Sequence, residues 1–349
     1  LYIPVMKNRT IEVSVLKILS NISVFDNNIV PMIEIIQEKT RSNMKKDFFE
    51  ELEEILVQSG NYKIIVDIYK STKLRSTTES IREYLTKVNR QEHFGVNELL
   101  RLKHLNNRVI PAISYLPDSY NITQLINDIN TLRHNYPHLA FRFKAQEFDS
   151  VFDKLKDYII ADDFVILDID AAPHTSPVFK RLYQTIAKFK ENIKLKSIIL
   201  NANRPDTLFN VHMVDKEPIA EIDNSLREMY NLPVMKKFDG FGDYACINAS
   251  LPSTGGTISP AGIYYSYDNN FFIAFKGRQP LLSEFTDYIA PSIIQSPYWE
   301  EFDDTHHEKC PGCKDIYNIT LGAKNGKNQG IWKSISMLHY IYTMHEKQP

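Results

Sequence analysis

Phe164-Val-Ile-Leu-Asp-Ile-Asp170 is the stretch whose reading decides the fold. At a period of two, Phe164, Ile166, Asp168 and Asp170 share one face, and Val165, Leu167 and Ile169 share the other. One face is wholly apolar. The other begins apolar and ends in carboxylates. This suits a strand packed on helices outside, with an inner face that opens at its C-terminal end onto a polar site.

The same device recurs along the chain. Residues 2–7, 29–36, 62–68, 108–114 and 139–143 read as strands before it, and residues 196–201 and 243–248 as strands after it. Amphipathic segments fall between them: a helix behind Thr10 as candidate N-cap, then 45–57, 76–88, an extra helix at 96–105, 121–133, 148–158, 176–189 and 222–230. Eight strands alternating with helices predict an α/β fold, a (β/α)8 TIM-like barrel over residues 1–250. An open doubly wound sheet is the competing architecture, but no Gly-rich fingerprint follows the first strand. Beyond residue 250 the pattern changes. Residues 262–267 and 271–275, separated by Asp268-Asn-Asn270, predict an aromatic β-hairpin. Helices are expected at 282–289 and 331–342, so residues 251–349 read as a C-terminal elaboration packed on the barrel.

With 349 residues, 43% of them hydrophobic, the chain has ample material for a large core. A formal net charge of -2 gives no global pull toward nucleic acid or anionic membrane. Lys70, Lys73, Arg75 and Arg82 gather after the third strand, but the acids among them make this a solvated face rather than a phosphate track. No run approaches the roughly 20 apolar residues that span a bilayer. The N-terminus shows no basic segment followed by an apolar core. The cysteines are Cys246, Cys310 and Cys313; an odd, sparse set argues against a disulfide scaffold and fits the cytoplasm.

In a barrel, the C-terminal ends of the strands meet at one mouth. Those positions hold Lys7, Glu34, Asp67, Arg142, Asp168, Asp170 and Asn201. A charge pointing inward is costly unless paired or solvated. The functional reading is a pocket for a charged ligand. Glu34, Asp67, Asp168 and Asp170 would do acid–base work or bind Mg²⁺ or Mn²⁺, while Lys7, Arg142 and Asn201 would hold a phosphate or carboxylate. The other reading is an internal salt-bridge lattice. Asp168 is the stronger candidate of its pair, because Asp170 already approaches the loop. Ser253-Thr-Gly-Gly-Thr257 is a weak candidate phosphate loop.

Cys310-Pro-Gly-Cys313 can aim two sulfurs at one point, with His306, His307 and His339 as further donors. Cys310, Cys313, His306 and His339 would complete a structural zinc site with no position left for water. A redox pair or two free thiols in a tight turn are the alternatives.

Several of these segments occur in a telling order: Tyr2–Lys7, Pro31-Met-Ile-Glu34, Gly242-Asp-Tyr-Ala245, the hairpin ending near Lys276-Gly-Arg278, and Cys310-Pro-Gly-Cys313 followed by Trp332 and His339. The chain resembles the bacterial and phage "beta protein" family over nearly its whole length. The resemblance implies association with mobile elements and phage defence, a cytoplasmic protein, and a partner from a neighbouring gene or the phage. The family pattern has a histidine pair on the last helix where this chain has His339-Tyr340, so His306 or His307 would have to complete a zinc set. Two functions follow as expectations: a metal-dependent hydrolase or transferase acting on a phosphoester or nucleotide, or a non-catalytic sensor or scaffold that docks a phage component or partner nuclease through the aromatic hairpin.

Overall fold

The period-two stretches form strands because each has apolar side chains to bury on both faces. In the computed structural model of the chain, all residues are described except 42, 76, 203, 205–207, 224–226, 228–236, 253–257, 348 and 349. Strands and helices alternate as β1 (Tyr2–Lys7), α1 (Thr10–Asn21), β2 (Met32–Ile35), α2 (Phe48–Gln58), β3 (Ile64–Ile68), α3 (Glu79–Arg90), α4 (Phe94–Leu100), β4 (Val109–Ile113) and α5 (Ile122–Arg133). They continue as β5 (Ala140–Lys144), α6 (Phe148–Leu155), β6 (Phe164–Asp168), α7 (Lys180–Lys190), β7 (Lys196–Leu200), β8 (Glu217–Asp223) and β9 (Gly240–Asp243). Strands β1 to β7 and β9 close into a parallel barrel in that order. The (β/α)8 architecture is therefore present.

The core has two parts, and they match the two faces of each strand. Inside the barrel, Ile3, Val5, Met32, Ile65, Ile110, Ala140, Phe164, Ile166 and Ile198 pack together. Outside, Ile33, Ile35, Val66, Phe141, Phe143, Val165 and Leu167 pack against the helices. The inner rows of β1, β2, β3, β5 and β6 run upward from apolar residues to a charge, so hydrocarbon fills the lower barrel and the charges gather at the top.

Three local expectations need correction. The eighth barrel strand is Gly240–Asp243, not residues 243–248. It pairs with β1 and β7, and a Cβ on Gly242 would lie 2.8 Å from the Ile3 carbonyl oxygen. The strand thus needs glycine for close backbone approach. Ile222 and Asp223 belong to β8 rather than to a helix, and most of the expected helix 222–230 lies outside the described residues, as does the whole of Ser253–Thr257. The first helix includes Thr10, with Arg9 preceding it, so Thr10 is not its cap. Elsewhere capping chemistry is explicit: Asp47 and Glu50 form a reciprocal capping box that starts α2.

The expected hairpin is β10 (Ala261–Ser266) with β11 (Phe271–Lys276), and β8 adds to the free edge of β11. After it come a π-helical turn at Phe285–Ile289, then α8 (Ala290–Ile294), α9 (Asp304–Lys309), α10 (Pro311–Thr320) and α11 (Gln329–Lys347). Among the described residues no helix is long and apolar enough to cross a membrane.

Helix α11 is fastened to the barrel by a buried carboxylate. Asp243 Oδ1 accepts hydrogen bonds from the Tyr2 hydroxyl at 2.7 Å and the Ala245 N–H at 2.9 Å, and Oδ2 accepts one from the Tyr340 hydroxyl at 2.6 Å. An Asp243→Leu substitution strands two buried hydroxyls and a backbone N–H. It should cost on the order of 3 kcal/mol, read as a lower midpoint in urea denaturation. An unchanged midpoint would show that the tie is dispensable.

Candidate functional site

The charged strand ends converge as their faces require. Strand register places Lys7 beside Glu34 and Glu34 beside Asp67, while Lys144 lies beside Asp168. Arg142 starts one step lower and reaches upward. Its Nη1 donates to Glu34 Oε1 at 2.7 Å and Asp67 Oδ2 at 2.8 Å, and its Nε donates to Asp168 Oδ2 at 2.8 Å. Its Nη2 donates to the Tyr244 hydroxyl at 2.9 Å, which in turn donates to Glu34 Oε1 at 2.8 Å. Lys7 Nζ lies 3.1 Å from Glu34 Oε2 and 4.5 Å from the centre of the Tyr244 ring. Lys144 bridges Asp168 at 2.8 Å and Asp170 at 2.6 Å, and the Ser114 hydroxyl donates to Asp67 at 2.6 Å.

Lys7, Glu34, Asp67, Arg142 and Asp168 are all buried. Burial alone would raise the carboxyl pKa values; at Asp168, Lys144 and Arg142 more than offset it, and at Glu34, Lys7 and Arg142 do. Both acids are held below the ordinary carboxylate range. Arg142 is pushed the other way: burial disfavours its charge, but Tyr244 and the three carboxylates around it raise its pKa well above the usual value. Three buried acids thus meet three cations. The set is closed beneath the mouth rather than lining an open one.

Two of the expected residues stand apart. Asp170 has a half-exposed side chain and a left-handed backbone with φ of 50°, so it already belongs to the loop. Asn201 donates to the backbone carbonyls of Asp170 and Ala172, both at 2.8 Å, and pins that loop.

The C-terminal patch also assembles. His306 on α9, Cys310 and Cys313 at the start of α10, and His339 on α11 bring their ligand atoms within 4.8 Å of one another, all four buried. His339 Nδ1 lies 3.8 Å from Cys310 Sγ and 3.5 Å from Cys313 Sγ. Its Nε2 donates to the Tyr265 carbonyl at 3.0 Å, which leaves Nδ1 as the lone pair. His306 is mirrored: Nδ1 donates to Glu346 at 2.6 Å, and buried Nε2 has no hydrogen-bond partner among the described residues. His307 instead stacks on Trp299, ring centres 3.9 Å apart. Gly312 is required at this crossing, because a Cβ there would lie 2.7 Å from both the His339 nitrogen and the Ile335 oxygen. The four residues can hold a metal ion.

Beside the barrel axis, on the same C-terminal face, lies a cleft of about 780 Å³. Arg9 and Glu12 reach it from beyond β1, Arg204 from beyond β7, Asn248 from beyond β9, and Lys333 from α11. Glu12 Oε1, Arg204 Nε and Asn248 Oδ1 are buried there without hydrogen-bond partners among the described residues. Burial lowers the Arg204 pKa and raises that of Glu12, the latter against the opposing pull of Arg9.

The sequence model of the beta protein family matches residues 2–346. The chain belongs to that family. No curated protein matches its sequence. Among solved structures it resembles a chain described as "Structural basis of mutual activation of the tryptophan synthase a2b2 complex from a hyperthermophile, Pyrococcus furiosus", at 11% identity and a TM-score of 0.39, covering 70% of this chain and 87% of that one.

In this beta protein, sequence reasoning missed Tyr244 and Lys144 as members of the axial network. Lys144 had a usable signal, being two residues beyond Arg142 on the same face of β5. Tyr244 falls in the expected strand 243–248 and in the Gly242-Asp-Tyr-Ala245 segment, but neither places its hydroxyl on the barrel axis; its place there comes from following β9, which ends at Asp243. Glu346, which orients His306, lies seven residues beyond His339, two turns along one face of α11.

Proposed function

We propose that this beta protein is a binding barrel whose ligand is a phosphate-bearing small molecule, received in the cleft at the ends of β1, β7 and β9. The observation that carries this reading is Arg204, which lines the cleft: it is 8% exposed, its Nη2 donates to the Leu208 carbonyl at 3.0 Å, and its buried Nε has no partner among the described residues. A buried guanidinium N–H left open is costly unless an anion completes it. The charged lining is Arg9, Arg204, Lys333 and Glu12, a local excess of positive charge in a chain whose net charge is -2. Barrels commonly hold phosphate at this position, after their last two strands.

A metal-dependent hydrolase is the weaker reading. Glu34, Asp67 and Asp168 already have Arg142, Lys7 and Lys144 as counterions, so Mg²⁺ or Mn²⁺ would have to displace a guanidinium that spans all three acids. The axial network is better suited to holding strand ends β2, β3, β5 and β6 in fixed positions under the mouth.

We assign the metal at His306, Cys310, Cys313 and His339 as structural zinc. Tetrahedral zinc with ordinary bond lengths separates a sulfur from a nitrogen ligand by about 3.6 Å, against 3.5 and 3.8 Å here. Zinc would join α9, α10 and α11 and so fix the wall that carries Lys333. A cytoplasmic setting in phage defence, with a protein partner from a neighbouring gene, is the biological context we infer from the family resemblance.

The test of the anion site is calorimetric titration of the full-length protein with inorganic pyrophosphate. Lys333→Ala, an exposed change, and Arg204→Ala should each weaken binding about tenfold or more. Affinity unchanged from the parent in both variants, or no binding by the parent protein, would reject the site.

A further inference from the structure

The cleft is not uniformly polar. Around the charged floor stand Phe209 and Val211, each 54% exposed, with Ile258 at 55% and Leu282 at 42%. Apolar side chains this exposed at the edge of a cavity suit a ligand with an apolar face. The floor asks for more than an anion. Glu12 Oε1 and Asn248 Oδ1 are buried acceptors with no donor among the described residues, and a phosphate without protons supplies none. A suitable ligand combines an anionic group, hydroxyl or N–H donors, and a flat body that can lie on an aromatic ring. A fatty acid lacks the donors. A sugar phosphate lacks the apolar body. A nucleotide has all three.

We propose that the cleft binds a nucleoside monophosphate, with its phosphate held by Arg204, Lys333 and Arg9, its ribose hydroxyls donating to Glu12 and Asn248, and its base against Phe209 at the rim. This rests on the anion-binding reading above and names its ligand class. The volume of about 780 Å³ is within the ordinary range for small-molecule sites and leaves room for water beside such a ligand. The phosphate dianion also matches the excess of cations on the floor.

The experiment compares AMP, GMP, CMP and UMP with ribose 5-phosphate, inorganic phosphate and the free nucleosides by calorimetry on the full-length protein. At least one nucleotide should bind tenfold or more tighter than ribose 5-phosphate, and ribose 5-phosphate tighter than phosphate. Phe209→Ala, an exposed change, should weaken nucleotide binding several-fold and leave inorganic phosphate unaffected. Glu12→Gln should weaken nucleotide and ribose 5-phosphate but not phosphate. If all four nucleotides bind no tighter than phosphate, the nucleotide assignment is wrong and the anion site stands. If neither phosphate nor any nucleotide binds, both are wrong.

Discussion

Replacing Arg142 by methionine should destabilise the protein by about 3–5 kcal/mol, enough to unfold a domain of ordinary stability. Methionine keeps the apolar stem and removes the fork. Glu34, Asp67 and Asp168 then lose the group that contacts all of them, and Lys7 and Lys144 remain only at the margins. Unpaired carboxylates in a barrel interior hold their charge poorly. Arg142→Lys should give a partial loss, since one ammonium cannot reproduce the separate donors that reach Asp168, Glu34 and the Tyr244 hydroxyl.

The pH dependence separates this account from simple loss of packing. In the parent protein Glu34 and Asp168 titrate below their unfolded values. Their contribution is therefore present above the ordinary carboxylate pKa, near pH 4 to 4.5, and is lost as pH falls through the depressed values. In Arg142→Met the balance inverts: burial without the guanidinium raises carboxyl pKa values, so protonation relieves the strain and stability increases as pH falls from about 7 toward 5. Urea midpoints measured across that interval should be nearly flat for the parent and should rise toward acid for the variant. A variant with the same flat profile as the parent would show that the acids are not held by Arg142.

How much of this was legible in the sequence depends on how local each signal was. Phe164–Asp168 announced its two faces through alternation, and the inner and outer core clusters follow that alternation in β1, β2, β3, β5 and β6. Period-two reading also put Glu34, Asp67, Arg142 and Asp168 on one side, because a one-residue choice of face decides every side chain in a strand. The same rule failed at Gly240–Asp243, where glycines replace the apolar residues a buried strand normally shows. It failed at β8 for a related reason: Pro218 and the acids read as loop, but an edge strand paired only to β11 needs no continuous apolar run. Whether the inward charges lined an open pocket or closed on one another was not legible, since that depends on Tyr244 arriving from another strand end. The cleft was invisible for the same kind of reason, as Arg9, Glu12, Arg204, Asn248 and Lys333 are spread over the chain and form no motif.

The second large effect should come from the metal. Purified protein is expected to carry one zinc per chain, and stripping it should lower the melting temperature by ten degrees or more. The zinc contribution in small zinc domains is about 10–16 kcal/mol; a site inside a larger core realises only part of this, because α11 is also held by Tyr340 on Asp243 and by Trp332 beneath β10. The four residues that would ligate it come from three helices, so loss of the metal would free α9 and α10 from α11 at once. Cys310→Ser should reproduce the effect, and His306→Ala should give a smaller loss, since water can take the position of a single nitrogen ligand. Glu346→Gln tests the site from outside: it leaves all four ligands in place but weakens the hydrogen bond that orients His306, and metal affinity should fall 10- to 100-fold while the metal-loaded fold is unchanged. Cobalt substitution gives a direct reading of geometry, because tetrahedral coordination by two thiolates and two imidazoles produces intense visible bands that octahedral oxygen sites lack. Metal-free protein that melts at the same temperature, with both thiols freely titratable, would leave Cys310 and Cys313 as buried thiols in a tight turn.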